Sequence, residues 1–219
     1  MGEMLETRKY FLTVEGETER WYFAWLCSAI NACSERKYNV AIDAKVQQSP
    51  MKYAKSINPK ATPKVIHICD VESMDNVHVQ KSEKILTELK DAKVQKKITY
   101  DLGYSNFTFE LWIVLHRKNC NATLVNRTQY LPHINQAFCE NFENLDQYKH
   151  EANFKRCLKQ LTLSDVRDAI KRAKAIMTQN EKDRKQRRQY KGFTYYTGNP
   201  SLTIFEAVEE ILVDCGLDH

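Results

Sequence analysis

A run of apolar and β-branched residues from Tyr10 to Val14 stops at Glu15 and Gly16, and the period of the sequence changes there. Five such residues in a row suit a strand buried on both faces. Beyond the glycine, Thr18, Glu19, Trp21, Tyr22, Trp25 and Leu26 keep helical spacing, which predicts strand, tight turn and helix with carboxylates at the turn. In an open α/β sheet that turn belongs to the crevice at the carboxyl ends of the strands, where such folds bind ligands. The first helix should fade near Ala32 to Ser34.

The pattern recurs. Val40, Ile42, Ala44 and Val46 alternate as a second strand, and Pro50 to Ile57 reads as a short helix. Val65 to Cys69 is a third, near-continuously apolar strand that ends at Asp70. Val79 to Ala92 predicts an amphipathic helix, and Val94, Ile98 and Tyr100 a fourth strand. Strands and helices alternating in this way predict an α/β fold with a mainly parallel sheet of about four strands flanked by helices. From Phe107 the pattern turns helical: Phe107 to His116 is apolar nearly all round, Thr128 to Phe142 is weaker, Ser164 to about Tyr190 is long, and Leu202 to Cys215 is closed by Gly216. The division expected is a core over residues 1–116 and a mostly helical extension over 117–219 packed on it.

With 219 residues, 42% hydrophobic and 11% aromatic, the chain can bury a sizeable core. No apolar run approaches the roughly 18 to 20 residues of a bilayer span. The N-terminus is too polar for a secretory signal, so the expectation is a cytoplasmic protein without membrane attachment. Seven cysteines stand singly without a CxxC pair, which argues against a zinc site or a disulfide framework.

Three stretches put carboxylates where loops of one crevice meet. Glu15 and Glu19 lie at the first strand–helix turn, Asp70 and Glu72 just past the third strand, and Glu110 at the start of the buried helix after the fourth. Hard divalent cations take oxygen ligands, and magnesium typically uses one or two carboxylates. Two such ions about 4 Å apart clamp the attacking and leaving oxygens of a phosphodiester displacement. A single acid at such a place is as readily a solvated helix-end charge. Glu15 and Asp70 are different, because each ends a rigid apolar run and like charges there repel one another unless a cation offsets them.

The segment Lys171 to Lys191 carries a net charge of +7, more than the +5 of the whole chain. It is either a solvated helix face or a phosphate-contacting surface. Arg172, Lys174, Arg184, Lys185, Arg187, Arg188 and Lys191 are the candidate nucleic-acid ligands, and Tyr190, Phe193, Tyr195 and Tyr196 are available to stack on unpaired bases. The glycine-bounded GFTYYTG stretch suits a hairpin or a loop. His116 closes the buried helix, as a cap or as a catalytic base.

Taken in order, EGETERWYF at 15–23, CDVES at 69–73, SNFTFELWIVLH at 105–116, AIKRAK at 169–174 and NPSLTIFEAVEEIL at 199–212 resemble the RloB family, and the strand ending in EGETE resembles the opening of the Toprim fold of topoisomerases, primases and overcoming-lysogenization-defect nucleases. The resemblance spans nearly the whole chain. It implies a magnesium- or manganese-dependent endonuclease of bacterial anti-phage defence, accompanied by an ATPase of the ABC or SMC type, with RNA such as transfer RNA or DNA as substrate and oligomerisation left open. The resemblance implies a metal-ligating or acid–base role for Glu15, metal ligation by Glu19, Asp70, Glu72 and Glu110, nucleic-acid contact by Ser105, and charge stabilisation at the scissile phosphate by Lys149. Glu72 stands where the Toprim pattern has aspartate, and Phe107 where the family signature has proline. The competing expectation is a non-catalytic, metal- or nucleotide-binding sensor or toxin subunit controlled by the ATPase.

Overall fold

The computed structural model describes residues 5–57, 64–71 and 75–218. Four strands, β1 (Thr7–Val14), β2 (Asn39–Val46), β3 (Lys64–Val71) and β4 (Thr99–Asn106), form one sheet in the order β2-β1-β3-β4, with every pairing parallel. Helices α1 (Glu17–Ala32), α2 (Pro50–Ser56) and α3 (Asn76–Lys96) make the crossovers. The chain steps one way from β1 to β2 and the other way from β2 past β1 to β3 and β4. Right-handed crossovers therefore place α1 on one face and α2 and α3 on the other. The direction of winding reverses between β1 and β3, and open sheets form their ligand crevice at the carboxyl side of that point.

The burial of β3 shows both faces at work. Val65, Cys69 and Val71 pack with Tyr53 of α2 and with Ile85, Leu86 and Leu89 of α3. Ile66 and Ile68 point the other way, into the larger core that holds Leu12, Phe23 and Leu26. That is the two-residue alternation of a strand covered on both sides.

The second half of the chain is mostly helical: α4 (Glu110–Leu115), α5 (Tyr130–Phe138), α6 (Leu145–Lys149), α7 (Glu151–Leu158), α8 (Leu163–Lys182) and α9 (Ile204–Asp214). Phe154, Ile170 and Val208 from these helices enter the same core as Leu12 and Phe23. The tail also closes part of the sheet edge: Leu202 bridges Ser105 antiparallel, and the Thr203 N–H donates to the Tyr104 carbonyl at 2.8 Å. Among the described residues no helix is long and apolar enough to cross a membrane.

Several predicted boundaries move. Val94 lies on α3 and is exposed, so the fourth strand begins only at Thr99. The buried helix is six residues long, beginning at Glu110. The expected helix from 128 splits into a 3-10 turn and α5, and ends at Phe138. The long basic helix starts one residue earlier than expected, capped by Thr162 with Asp165 in a capping box, and stops at Lys182. Arg184 then takes a positive φ of 51°, and an antiparallel hairpin follows, β5 (Arg187–Tyr190) and β6 (Phe193–Tyr196), turning at Lys191 and Gly192. Gly192 has φ 92°, the left-handed region glycine enters without strain.

Candidate metal centre at the carboxyl rim of the sheet

Glu15 leaves β1 and Asp70 ends β3, the two strands flanking the reversal point. The Asp70 backbone N–H donates to Glu15 Oε2 at 3.2 Å, so the first acid is tied directly to the strand that carries the second. Glu15 lies partly buried, with the Lys81 Nζ of α3 3.6 Å from its Oε1.

The remaining acids arrive from the α1 face. Gly16 is the N-cap of α1, and Glu19 stands in the first turn, buried, taking the Thr18 hydroxyl at 2.9 Å. Close approach explains the glycine: a Cβ there would sit 3.0 Å from Glu19 Oε2. Glu110 opens α4 fully buried, accepts from the Thr108 hydroxyl, and pairs with Lys149 Nζ of α6 at 3.0 Å. Ser105 is paired in register with Asp70 across β3 and β4, and its hydroxyl is buried without a partner among the described residues.

These groups act on one another electrostatically. Burial, then the charges of Glu19, Glu15 and Glu110, push the Asp70 carboxyl well above its usual value, while Lys149 pulls it down. Burial also raises Glu19, against hydrogen bonds from its own backbone and Thr18, and Glu110 adds to the rise. Burial works to lower Lys149, but Glu110, Asp70 and Glu19 outweigh it and raise its pKa. Among the described residues four carboxylates gather near two ammonium groups, a grouping of like charge that a divalent cation would relieve. The donor set is all hard oxygen and suits magnesium or manganese. Among the described residues no group of three or more His, Cys, Asp or Glu side chains is placed to hold a metal ion as they stand. Two of the acids hold lysines instead.

Other sequence candidates sit elsewhere or do other work. Glu72 lies outside the described residues. His116 is buried with Nε2 3.1 Å from the Tyr22 hydroxyl and Nδ1 2.9 Å from the Trp112 carbonyl. Burial lowers its pKa to about 4, and its charged neighbours are Asp165 and Arg172 rather than the acids. It sits as a core histidine that braces α4, apart from the acids.

The side chains of the basic segment are divided between internal contacts and the surface. Arg172 donates to the carbonyls of Leu115 at 2.6 Å and His116 at 3.1 Å, satisfying the end of a helix too short to close itself. Lys174 pairs with Glu209 at 2.5 Å, and Arg188 with Glu83. Arg184, Arg187 and Lys191 stay exposed, with Lys185 partly so, spread over a loop and a hairpin instead of one helix face. Ser105 is fully buried and reaches no surface that a nucleic-acid backbone could touch.

Thr18, Thr108, Lys81 and Tyr148 were not singled out from the sequence. The threonines stand one and two residues before the acids they serve, a local signal that was readable. Tyr148 is fully buried, its hydroxyl has no partner among the described residues, and burial, then Glu110, raises its pKa. Nothing in its sequence neighbourhood marks it except Lys149 beside it.

Fold and rim together define a doubly wound parallel α/β protein with a carboxylate cluster at its winding reversal. A family model described as RloB-like protein matches residues 10–211, and the chain belongs to the RloB-like family. No curated protein and no solved structure matches it.

Proposed function

We propose that this protein is a metal-dependent endonuclease that cleaves phosphodiester bonds of RNA or DNA in defence against phage, working with an ATPase partner. The observation that carries the reading is the bond from the Asp70 N–H to Glu15 Oε2, with Glu19 and Glu110 acting electrostatically on the same Asp70. Glu15, Glu19, Asp70 and Glu110 would hold one or two magnesium or manganese ions. Bound there, the ion supplies Lewis-acid charge at the phosphoryl oxygens. Lys149, already beside Glu110, adds positive charge where the transition state gains negative charge. Family membership supports the reading without fixing the substrate.

A second reading rests on the lysines. Because Lys149 and Lys81 already pair with Glu110 and Glu15, the second reading takes the rim as a partly neutralised binding site in a non-catalytic subunit under ATPase control. Purified protein with and without the ATPase, incubated with single-stranded DNA, duplex DNA and total RNA in magnesium, manganese or chelator, separates the two. Cleavage that needs metal and vanishes in Glu15→Gln and Asp70→Asn supports the nuclease. Cleavage that survives both substitutions refutes the site, and metal-dependent stabilisation without any scission favours the second reading.

A further inference from the structure

At the opposite end of the sheet the edge of β4 is half open. Its downstream half is covered by the chain itself: the Thr203 hydroxyl donates to the Leu102 carbonyl at 3.1 Å and accepts from the Tyr104 N–H at 3.1 Å. Those bonds show which way the strand faces. Backbone groups of alternate residues point to the same side, so Leu102 and Tyr104 point outward, and Tyr100 does too. The Tyr100 N–H and carbonyl and the Leu102 N–H have no partner among the described residues. They open into a groove of about 720 Å³. An edge of this kind is a template for another strand unless charge or cover blocks it.

The groove has two unlike walls. Tyr100 and Tyr104 pack with α3 and with Tyr195 of the hairpin, so that side is built by α3 and the hairpin turn, and Lys90, Lys93 and Lys191 stand on it. All three are exposed, with no ion pair among the described residues. The other wall is α9, where an added Cβ on Gly103 would lie 3.5 Å from the Ile204 Cα; Glu206 stands on this wall. The nearby Glu210 is matched already, sharing Lys64 with Asp101 at 2.7 and 2.9 Å.

We propose that the open half of β4 takes up an extended peptide as a fifth strand, with acidic side chains at every second position. Main-chain hydrogen bonds to Tyr100 and Leu102 supply the attachment, as in other strand-addition complexes. Alternate residues of an added strand face opposite walls, so one set meets the three lysines while the other meets Ala207 and Glu206, where small or neutral residues fit. The site lies away from the carboxyl rim and stands or falls apart from the nuclease reading.

The test uses the full chain and fluorescein-labelled octapeptides in fluorescence anisotropy. The probes are alternating Glu-Thr, alternating Lys-Thr, and four Glu followed by four Thr. The alternating acidic peptide should bind at least about five-fold tighter than either of the others. Lys90→Glu with Lys93→Glu should abolish that preference. Leu102→Pro removes one outward N–H at a place where edge strands tolerate proline, and should weaken binding about as much while circular dichroism stays unchanged. Equal binding of the block and alternating acidic peptides overturns the proposal, as does indifference to Leu102→Pro. Light scattering that shows two chains joined through this edge, with no peptide uptake, assigns the groove to a second copy instead. Binding of a thymidine decamer that is lost in the lysine variant and unaffected by Leu102→Pro assigns it to nucleic acid.

Discussion

Lys149→Met is the sharpest probe of the rim. Glu110 is fully buried, and Lys149, whose side chain is 34% exposed, is the cation paired with it at 3.0 Å. Breaking a fully buried pair by removing one partner costs about 3–5 kcal/mol, while an exposed pair is worth about 0–1 kcal/mol. The one-third-exposed lysine places this pair between those limits, near about 2 kcal/mol. For a chain of this size that corresponds to a fall in Tm of about 4–8 °C. Glu110→Gln combined with Lys149→Met removes both charges and should recover much of the loss, giving a coupling of about 1–2 kcal/mol in a double-mutant cycle. Thermal and denaturant unfolding in chelator, near pH 7.5, is the assay. Excess magnesium should shrink the Lys149→Met deficit, because an ion among the acids replaces the missing positive charge. A coupling below about 0.5 kcal/mol would refute the reasoning, since contacting charges in a buried setting cannot be that independent.

Asp70 is held where its charge is disfavoured by burial and by Glu19, Glu15 and Glu110, so Asp70→Asn in chelator should raise the Tm at neutral pH while abolishing any cleavage; a lower Tm than wild type would contradict this. His67 and His116 are both buried with pKa values lowered to about 4. Unfolding lets them bind protons near pH 6.5, so their contribution is complete above that value and is lost as pH falls towards 4, by about 2–3 kcal/mol each. His116→Gln should therefore reduce the drop in Tm between about pH 7.5 and pH 5 relative to wild type, and an unchanged drop would count against it. Gly103→Ala forces a Cβ to within 2.5 Å of Ile68 Cδ1 and should cost about 1–3 kcal/mol by urea unfolding. Gly16→Ala crowds Glu19 Oε2 at 3.0 Å, and should weaken magnesium-dependent stabilisation more than overall stability.

The parallel sheet was legible because its two central strands carry near-continuous apolar runs, Tyr10 to Val14 and Val65 to Cys69, the second broken by His67. Glu15 and Asp70 could be placed at the rim for a related reason: each directly follows an apolar run, whereas Glu19 and Glu110 sit on helices. Where the chain was misread, local pattern competed with tertiary contact. Val94 continues an alternation with Ile98 and Tyr100, yet α3 runs on through it, exposed, to Lys96. The basic stretch after Lys182 has helix-compatible composition, but Asn180 is buried on the Pro200 carbonyl at 2.8 Å, and the chain must turn there to bring the hairpin to Tyr104, whose hydroxyl accepts from the Tyr196 N–H at 3.0 Å. The Arg172 side chain looked like a phosphate ligand because nothing in the sequence says that a helix ending 57 residues earlier needs its last carbonyls capped.

The clasp of Leu202 and Thr203 on β4 imposes an order of events on a chain made from its N-terminus. Roughly a hundred residues separate the strand from the segment that seals it. During synthesis all four strands emerge while that margin is still bare, and a nascent sheet with an unsealed margin is open to the wrong neighbour. A chain cut before Leu202 would leave the downstream half of that margin bare as well, so the covering segment limits how much of β4 is open to an unintended strand.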